Sequence, residues 1–487
     1  MRKKLLWFTF TLLIILSGIY LSFRLTQTPK GLTVDEASIG YNAVLISRTL
    51  HDEAGRFLPI FPLTIDGQDW KQPVTMYSTA LAFKIFGPSL LTLRSVSVAV
   101  GLVSLVLVVY LGSLLLGKTG GVLAGLLYLT APMTLIHSHL AQENIMPIPF
   151  TLVWLLGVFL FTKKKKPWFL FLSGVSLGIS IFSYKGMRAI VPIWAIITVL
   201  YIFLTTVKKI NKKEILASVK YCLYFIVGIL PFIAVIPWLN VHYAGAVFEP
   251  VNLETKTFYN FIYPYLSSFD PSALFIKGDS TPWHSTGMHG VFLLSTLPLL
   301  ISGMVSASKK GKYWVFLLTA FFLAPLLFGQ VGSVYRFSRL LIFVPFFAVF
   351  SAFGGISIFK SKFGKVFISL ICLMFIFNFI DFTRYYWYQY PKTEQANFLI
   401  DSETSFKQLA KISHEKNLTP YIFVDDFKSE GEVGKFYNAA YFSEGLNFWK
   451  PGDVLPPKSI VMTFLKTQPG MSSLDVLDGD KYHFLVN

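Results

Sequence analysis

The chain has 487 residues, of which 54% are hydrophobic, 17% aromatic and only 14% charged. Soluble globular proteins carry roughly 25% charged residues, so this composition excludes a water-soluble enzyme, a disordered chain and a nucleic-acid-binding domain. The net charge of +17 follows a membrane topology and is not the footprint of a nucleic acid.

A membrane-spanning helix takes about 20 mostly apolar residues. Eleven such runs are predicted, at about residues 5–23, 93–116, 120–137, 145–162, 168–183, 188–207, 217–239, 288–306, 313–329, 339–358 and 366–382. The first follows Arg2-Lys3-Lys4 and reads as an uncleaved anchor: its apolar stretch outruns the roughly 7–15 residues of a signal peptide, and no small-x-small cleavage site follows. Lysines at Lys118, Lys163 to Lys166, Lys208 to Lys213, Lys309 to Lys312 and Lys360 to Lys365 fall in alternate loops, on the side of the N-terminus. Lys and Arg mark the cytoplasmic side. The N-terminus is therefore expected inside and, with an odd number of spans, the C-terminus outside. Cys222 and Cys372 both fall in apolar runs and imply no disulfide framework.

The outer loops, in chain order, hold the polar chemistry. The first, about residues 24–92, carries Asp35, Glu36, Asp52, Glu53, Asp66, Asp69 and Lys71. Asp35 suits the cap of a helix that starts at Glu36. The loop at 137–144 holds His137, His139, Gln142 and Glu143; the one at 184–188 holds Lys185 and Arg188. The aromatic-rich loop 240–287 carries Glu249, Glu254, Asp270, Asp279 and His284, and the loop 330–339 carries Arg336 and Arg339. Of nine arginines only Arg2 is cytoplasmic; Arg24, Arg48, Arg56, Arg94, Arg188, Arg336, Arg339 and Arg384 lie at or near the outer face. A guanidinium fork grips phosphate or carboxylate by two teeth. Any one of these arginines also suits a helix end or a loop acid, but as a group they suggest an outer site for a phosphorylated ligand.

These residues and their order resemble the C-type glycosyltransferase superfamily, on the branch of the protein O-mannosyltransferases and the lipid A aminoarabinose transferase. Asp35-Glu36, shortly after the first span, matches the family's acidic pair. Trp70-Lys71-Gln72-Pro73-Val74-Thr75-Met76-Tyr77 resembles its Lys-Pro-Pro-Leu segment, with Gln72 in place of the first proline. Phe86-Gly87-Pro88 with Leu93-Arg94-Ser95-Val96 resembles the start of its second span. Ala131-Pro132 through Ser138, Ala141 and Glu143 resembles its second outer loop, although His139 and Gln142 stand where the family carries arginines. Arg336-Phe337-Ser338-Arg339 leading to Pro345 resembles its late arginine loop. The likeness runs over about residues 1–385.

The resemblance implies an all-α polytopic fold and an inverting transfer of a hexosyl or pentosyl group. The donor is a polyprenyl phosphate; the acceptor is a hydroxyl of protein, lipid or glycan. It implies Asp35 as general base with Glu36 beside it, and Lys71, Arg188, Arg336 and Arg339 as donor-phosphate ligands. Glu143, His139, Arg94 and His284 are candidates for acceptor or head-group contacts. No metal-ligand spacing is recognisable, although a divalent cation is compatible with the outer carboxylates and histidines. The expected partners are the lipid-linked donor, the acceptor and membrane lipids, in a multi-pass plasma-membrane protein.

Residues 1–385 are thus expected as the transmembrane domain. After the aromatic stretch Arg384 to Tyr390 and Pro391 the composition becomes that of a soluble chain. A small outer α/β domain is predicted over 391–487, with a helix at 396–416 and strands at 421–424, 459–464 and 482–486. Two other functional classes remain, a transporter or flippase of lipid-linked sugars and a non-catalytic scaffold for the tail. The first needs polar groups at mid-depth, and the predicted spans carry almost none.

Overall fold

The computed structural model describes residues 2–247, 257–331, 334–393, 401–466, 468, 471–474 and 482–487, with residues 2–10, 330, 331 and 474 as backbone only. Glu249, Glu254 and the first residues of the helix predicted at 396–416 lie outside the described residues. The chain forms two compact units: Met1–Phe23 with Ser97–Tyr390, and Arg24–Val96 with Pro391–Asn487.

The first unit is helical. Among the described residues, five helices are long and apolar enough to cross a membrane: Leu90–Leu129, Glu143–Lys164, Met187–Thr206, Lys212–His242 and Gly364–Lys392. The other predicted spans are shorter apolar helices, Thr11–Ser22, Trp168–Ile181, Leu294–Ser308, Lys312–Leu323 and Phe343–Phe359. Helix Leu90–Leu129 is interrupted at Gly117, with φ 80° and ψ 174°, a conformation open to glycine and costly for other residues. Two of the predicted runs meet there. The second ends at Leu129, short of the predicted 137, because Pro132 opens a separate short helix, Pro132–Ser138.

Large side chains fill the core of this unit and turn their polar atoms to partners. Trp154 and Trp194 stack at 4.6 Å, and their indole N–H groups donate to Thr198 Oγ1 at 3.0 Å and to the Ala320 carbonyl at 2.9 Å. Tyr313 donates its hydroxyl to the Leu155 carbonyl at 2.7 Å. Helices Trp168–Ile181 and Lys212–Ala234 meet backbone to backbone: a Cβ on Gly174 would lie 2.1 Å from the Phe225 carbonyl oxygen. Such small-residue contacts are the usual glue between helices in lipid. By contrast Phe367, Leu370, Leu373 and Phe377, all on helix Gly364–Arg384, are exposed. A run of this size in water marks an interaction surface; here it faces the bilayer.

The second unit joins the first outer loop to the tail. The loop supplies a helix, Val34–Thr49, a hairpin of β1 (Leu63–Thr64) and β2 (Asp69–Trp70), and a helix, Pro73–Phe86. The tail supplies a helix, Glu403–Lys416, strand β3 (Thr419–Phe423), a second helix, Val424–Tyr441, and strands β4 (Asn447–Trp449), β5 (Ser459–Thr463), β6 (Ser472–Leu474) and β7 (His483–Val486). The sheet order is β4-β3-β5-β7-β6. β3 runs parallel to β4 and β5; β7 is antiparallel to β5 and β6. The central β5 is buried along its whole length, as its unbroken apolar run implies.

The tail is therefore not a unit of its own. Its helix Val424–Tyr441 packs on the first-loop helix Val34–Thr49, whose buried Ala37, Ser38, Gly40 and Ala43 permit close approach. That tail helix escaped sequence reading because two glycines dilute its apolar period and Gly431, at φ 53°, interrupts it.

Candidate active site

The acidic pair of the first loop is divided between two jobs by one turn of helix. Helix Val34–Thr49 begins with a capping box: Glu36 N–H donates to Thr33 Oγ1 at 3.2 Å, and Thr33 N–H donates to Glu36 Oε2 at 3.1 Å. The cap is therefore Thr33 and not Asp35. The signal, Thr-x-x-Glu, stood in the sequence. Relieved of capping, the Asp35 side chain is 49% exposed.

Glu36 turns inward instead. Its carboxylate is fully buried and receives Arg94, with Nε at 3.0 Å from Oε1 and Nη2 at 3.3 Å from Oε2. Arg94, also fully buried, spends its remaining donors on backbone: Nη1 on the carbonyls of Leu25 at 3.0 Å and Pro29 at 2.8 Å, and Nη2 on that of Gly31 at 2.5 Å. This is a correction for both residues. Arg94 is enclosed and committed to Glu36 and three loop carbonyls, so it does not present itself to a head group. Glu36 holds Arg94 and the helix start and has no exposed oxygen to act on substrate.

Asp35 meets a cation from the hairpin. Lys71 Nζ lies 2.6 Å from Asp35 Oδ1 and 2.6 Å from Asp69 Oδ2. The lysine side chain is 6% exposed, whereas both carboxylates are roughly half exposed. Asp69 is the site residue that sequence reading did not single out. Its signal was its place two residues before Lys71, where the short strand Asp69–Trp70 leads into the lysine. The hairpin is braced where Leu63 pairs with Trp70, where the Lys71 N–H donates to the Pro62 carbonyl at 2.9 Å, and where Arg56 lies 4.8 Å from the centre of the Trp70 ring. Gln72, the departure from the family pattern, stands at the N-cap position of helix Pro73–Phe86 without a side-chain capping bond and is buried.

A second polar group sits on this unit. Lys435 Nζ bridges Asp66 Oδ1 at 2.6 Å and Glu432 Oε1 at 2.7 Å. Beside it, burial and then the neighbouring Glu432 push the Glu53 carboxyl up to about 7.

The remaining candidates belong to the first unit. Asp279 organises the outer loops there: its Oδ1 accepts from Thr281 N–H at 2.8 Å and its Oδ2 from Ser338 N–H at 2.6 Å. Asn144 donates to the Ser338 carbonyl at 3.0 Å. These bonds tie the segments carrying Glu143, His284, Arg336 and Arg339 together. Tyr184 lies in the same field, its phenol pushed up by burial, lowered by Arg339 and raised by Glu143 and Asp279. Arg336 is exposed; Arg339, Glu143 and Arg188 are half-buried. Arg188 donates from Nη1 to the carbonyls of Ala246 and Val247 at 2.6 and 2.7 Å, so it braces the outer loop.

His137, His139 and His284 are core residues rather than surface polar groups. His137 and His284 stack at 5.0 Å and 9°, and His139 lies against Tyr386; all three are buried. Burial, then His284, hold His137 down at about 3, so it is neutral at pH 7. Among the described residues, no group of three or more His, Cys, Asp or Glu is placed to hold a metal ion.

Two outcomes follow from these contacts. Arg94→Met strands the Glu36 carboxylate in the interior and should cost about 3–5 kcal/mol, read as a fall in the thermal midpoint of the detergent-solubilised protein. For Glu53 the folded state holds its proton more tightly than the unfolded one, so its contribution falls as pH rises from about 4.5 to about 7. Glu53→Gln keeps the acceptor for Asp66 N–H and removes the charge. Its thermal midpoint should exceed that of the wild type at pH 8 by more than at pH 5.

Residues 71–238 match the family described as dolichyl-phosphate-mannose-protein mannosyltransferase. No curated protein matches the sequence. Two solved structures share the fold over nearly the whole chain. ArnT from Cupriavidus metallidurans bound to undecaprenyl phosphate superposes with a TM-score of 0.54 at 11% identity, covering 98% of each chain. The same protein in the apo state gives a TM-score of 0.56 at 11% identity, covering 98% of this chain and 97% of that one. The chain thus has the fold of ArnT and, over residues 71–238, matches the family described as dolichyl-phosphate-mannose-protein mannosyltransferase.

Proposed function

We propose that the protein is an inverting glycosyltransferase of the plasma membrane, moving a sugar from a polyprenyl phosphate to an acceptor hydroxyl on the outer face. The observation that carries this reading is the half-exposed Asp35 carboxylate held at 2.6 Å by a buried lysine. The likeness to a protein solved with undecaprenyl phosphate supports the donor class.

The chemistry is a single displacement. The acceptor oxygen attacks the anomeric carbon on the face opposite the phosphate and gives its proton to Asp35. The bond from that carbon to the phosphate oxygen breaks, and the electron pair leaves with the polyprenyl phosphate. A positioned base contributes roughly 10²–10⁴ in rate. Stabilising the departing phosphate requires a cation already in place. Lys71 supplies one: it exchanges its contact with Asp35 for a phosphate oxygen while Asp69 keeps hold of it. That exchange frees the base when the donor arrives. Arg336 and Arg339 are the first unit's candidates for phosphate contact, with Arg188 bracing its loop, and Glu143 faces the same field.

The topology proposed with this reading has eleven spans, the N-terminus inside and the tail outside. The kink at Gly117 makes two spans of helix Leu90–Leu129, and the shorter apolar helices supply the remainder.

Asp35→Asn should reach the membrane and unfold like the wild type, yet lose about 10²–10⁴-fold in sugar transfer from a polyprenyl-phosphate donor in proteoliposomes. Transfer at the wild-type rate would refute the base. Orientation is read with a membrane-impermeant maleimide in a Cys222→Ser/Cys372→Ser background. Ile210 and Val454, 94% and 96% exposed, are replaced by cysteine one at a time. Val454→Cys should react in intact cells and Ile210→Cys only after permeabilisation.

A further inference from the structure

The tail helix Val424–Tyr441 touches both supports of the Asp35–Lys71 pair with two consecutive residues. Phe436, fully buried, presses its ring into the notch at Gly40, one turn beyond Glu36: a Cβ there would lie 2.6 Å from Phe436 Cδ2. The same ring stacks on Phe83 at 6.2 Å. Phe436 thus fills the space between the helix that carries Asp35 and the helix that follows Lys71. Lys435 reaches Asp66, in the turn of the β1–β2 hairpin, at 2.6 Å. The returning strand of that hairpin carries Asp69 and leads into Lys71. Lys435 is anchored from behind by Glu432 at 2.7 Å and lies 6.0 Å from the centre of the Tyr41 ring, back on the first-loop helix. A second tie, Lys30 to Asp401 at 2.7 Å, joins the loop to the start of the tail.

A domain that merely covered the loop would spread its contacts. Here adjacent side chains of one helical turn each seize a different one of the two elements whose spacing sets the Asp35–Lys71 distance. We propose that the tail is a positioning clamp, in which Phe436 and Lys435 fix that spacing and so hold the base and its lysine in register for transfer. This rests on the reading of Asp35 as the base. Neither residue touches substrate; both act through the helix and the hairpin.

The test uses the full-length protein in detergent or proteoliposomes, with Phe436→Ala, Phe436→Leu, Lys435→Gln, and Gly40→Ala alone and combined with Phe436→Leu. A displacement of about 1 Å at reacting groups costs on the order of 100-fold. Phe436→Ala and Lys435→Gln should therefore lower kcat roughly 10- to 100-fold per folded molecule. Lys435→Gln should keep the thermal midpoint and membrane level close to wild type, whereas Phe436→Ala empties a buried site and should lower the midpoint. Phe436→Leu should recover most of the rate. Gly40→Ala should be impaired alone and improved by Phe436→Leu, the signature of a direct contact. Hydrogen exchange gives a readout independent of transfer: segments 34–46 and 62–71 should exchange faster in both Phe436→Ala and Lys435→Gln, while β5 stays protected. Wild-type kcat and unchanged exchange in these variants would overturn the clamp, and Asp35→Asn would still judge the base. If the wild type transfers no sugar, the base fails and exchange alone decides the clamp. If Phe436→Ala loosens β5 as well, Lys435→Gln, at a side chain 24% exposed, decides in its place.

Discussion

One buried ion pair organises the first outer loop. Arg94 and Glu36 are both fully enclosed, and charges of this kind persist in an interior only when each is paired and hydrogen-bonded. Here they are, down to the loop carbonyls of Leu25, Pro29 and Gly31. The pair fixes where helix Val34–Thr49 starts and how the preceding turn runs. From that start follows the exposure of Asp35: with Thr33 as cap and Glu36 turned inward, the residue between them on the helix surface must point out. Its exposure is thus a by-product of its neighbour's burial.

Lys71 then settles what an exposed carboxylate in that place can do. A lone surface aspartate is well solvated and a weak base. One held by an enclosed ammonium, which a second carboxylate also holds, has a partner ready to change hands. Two acids and one base leave a net negative charge on the empty group. In the proposed transfer the donor phosphate draws the lysine away from Asp35 without leaving it unpaired, because Asp69 stays. The hairpin's bracing by Trp70, Arg56 and Pro62 keeps that exchange local.

Much of this was legible in the sequence, for identifiable reasons. Hydrophobic runs and lysine placement reveal the apolar helices because lipid leaves a chain few options. The run boundaries were accurate where glycine or lysine marks them, as at Gly117 and Lys118, and failed where Pro132 restarts a helix inside an apolar stretch. The acidic pair was visible, yet the roles of its members were partly misread, because Arg94 looks like an ordinary start of a span and only the fold shows that it is enclosed. The union of residues 24–96 with the tail was invisible. It rests on the fit of Phe436 to Gly40 and of Lys435 to Asp66, contacts across some 370 residues that leave no local period. The histidines misled for the opposite reason: polar side chains in an outer loop suggest water, and their stacking in the interior is a tertiary fact.

The discontinuity of the second unit has a consequence for how the protein comes into being. Its loop half is made early and its tail half last, with nearly the whole membrane region between them. At about 5–20 residues per second, synthesis leaves the loop without its other half for tens of seconds. During that interval the notch at Gly40 stands open. The tail, made last, is the part that closes it. A chain that stalls before the end therefore carries the first-loop helix with its notch unfilled, and premature products of translation carry their own handicap.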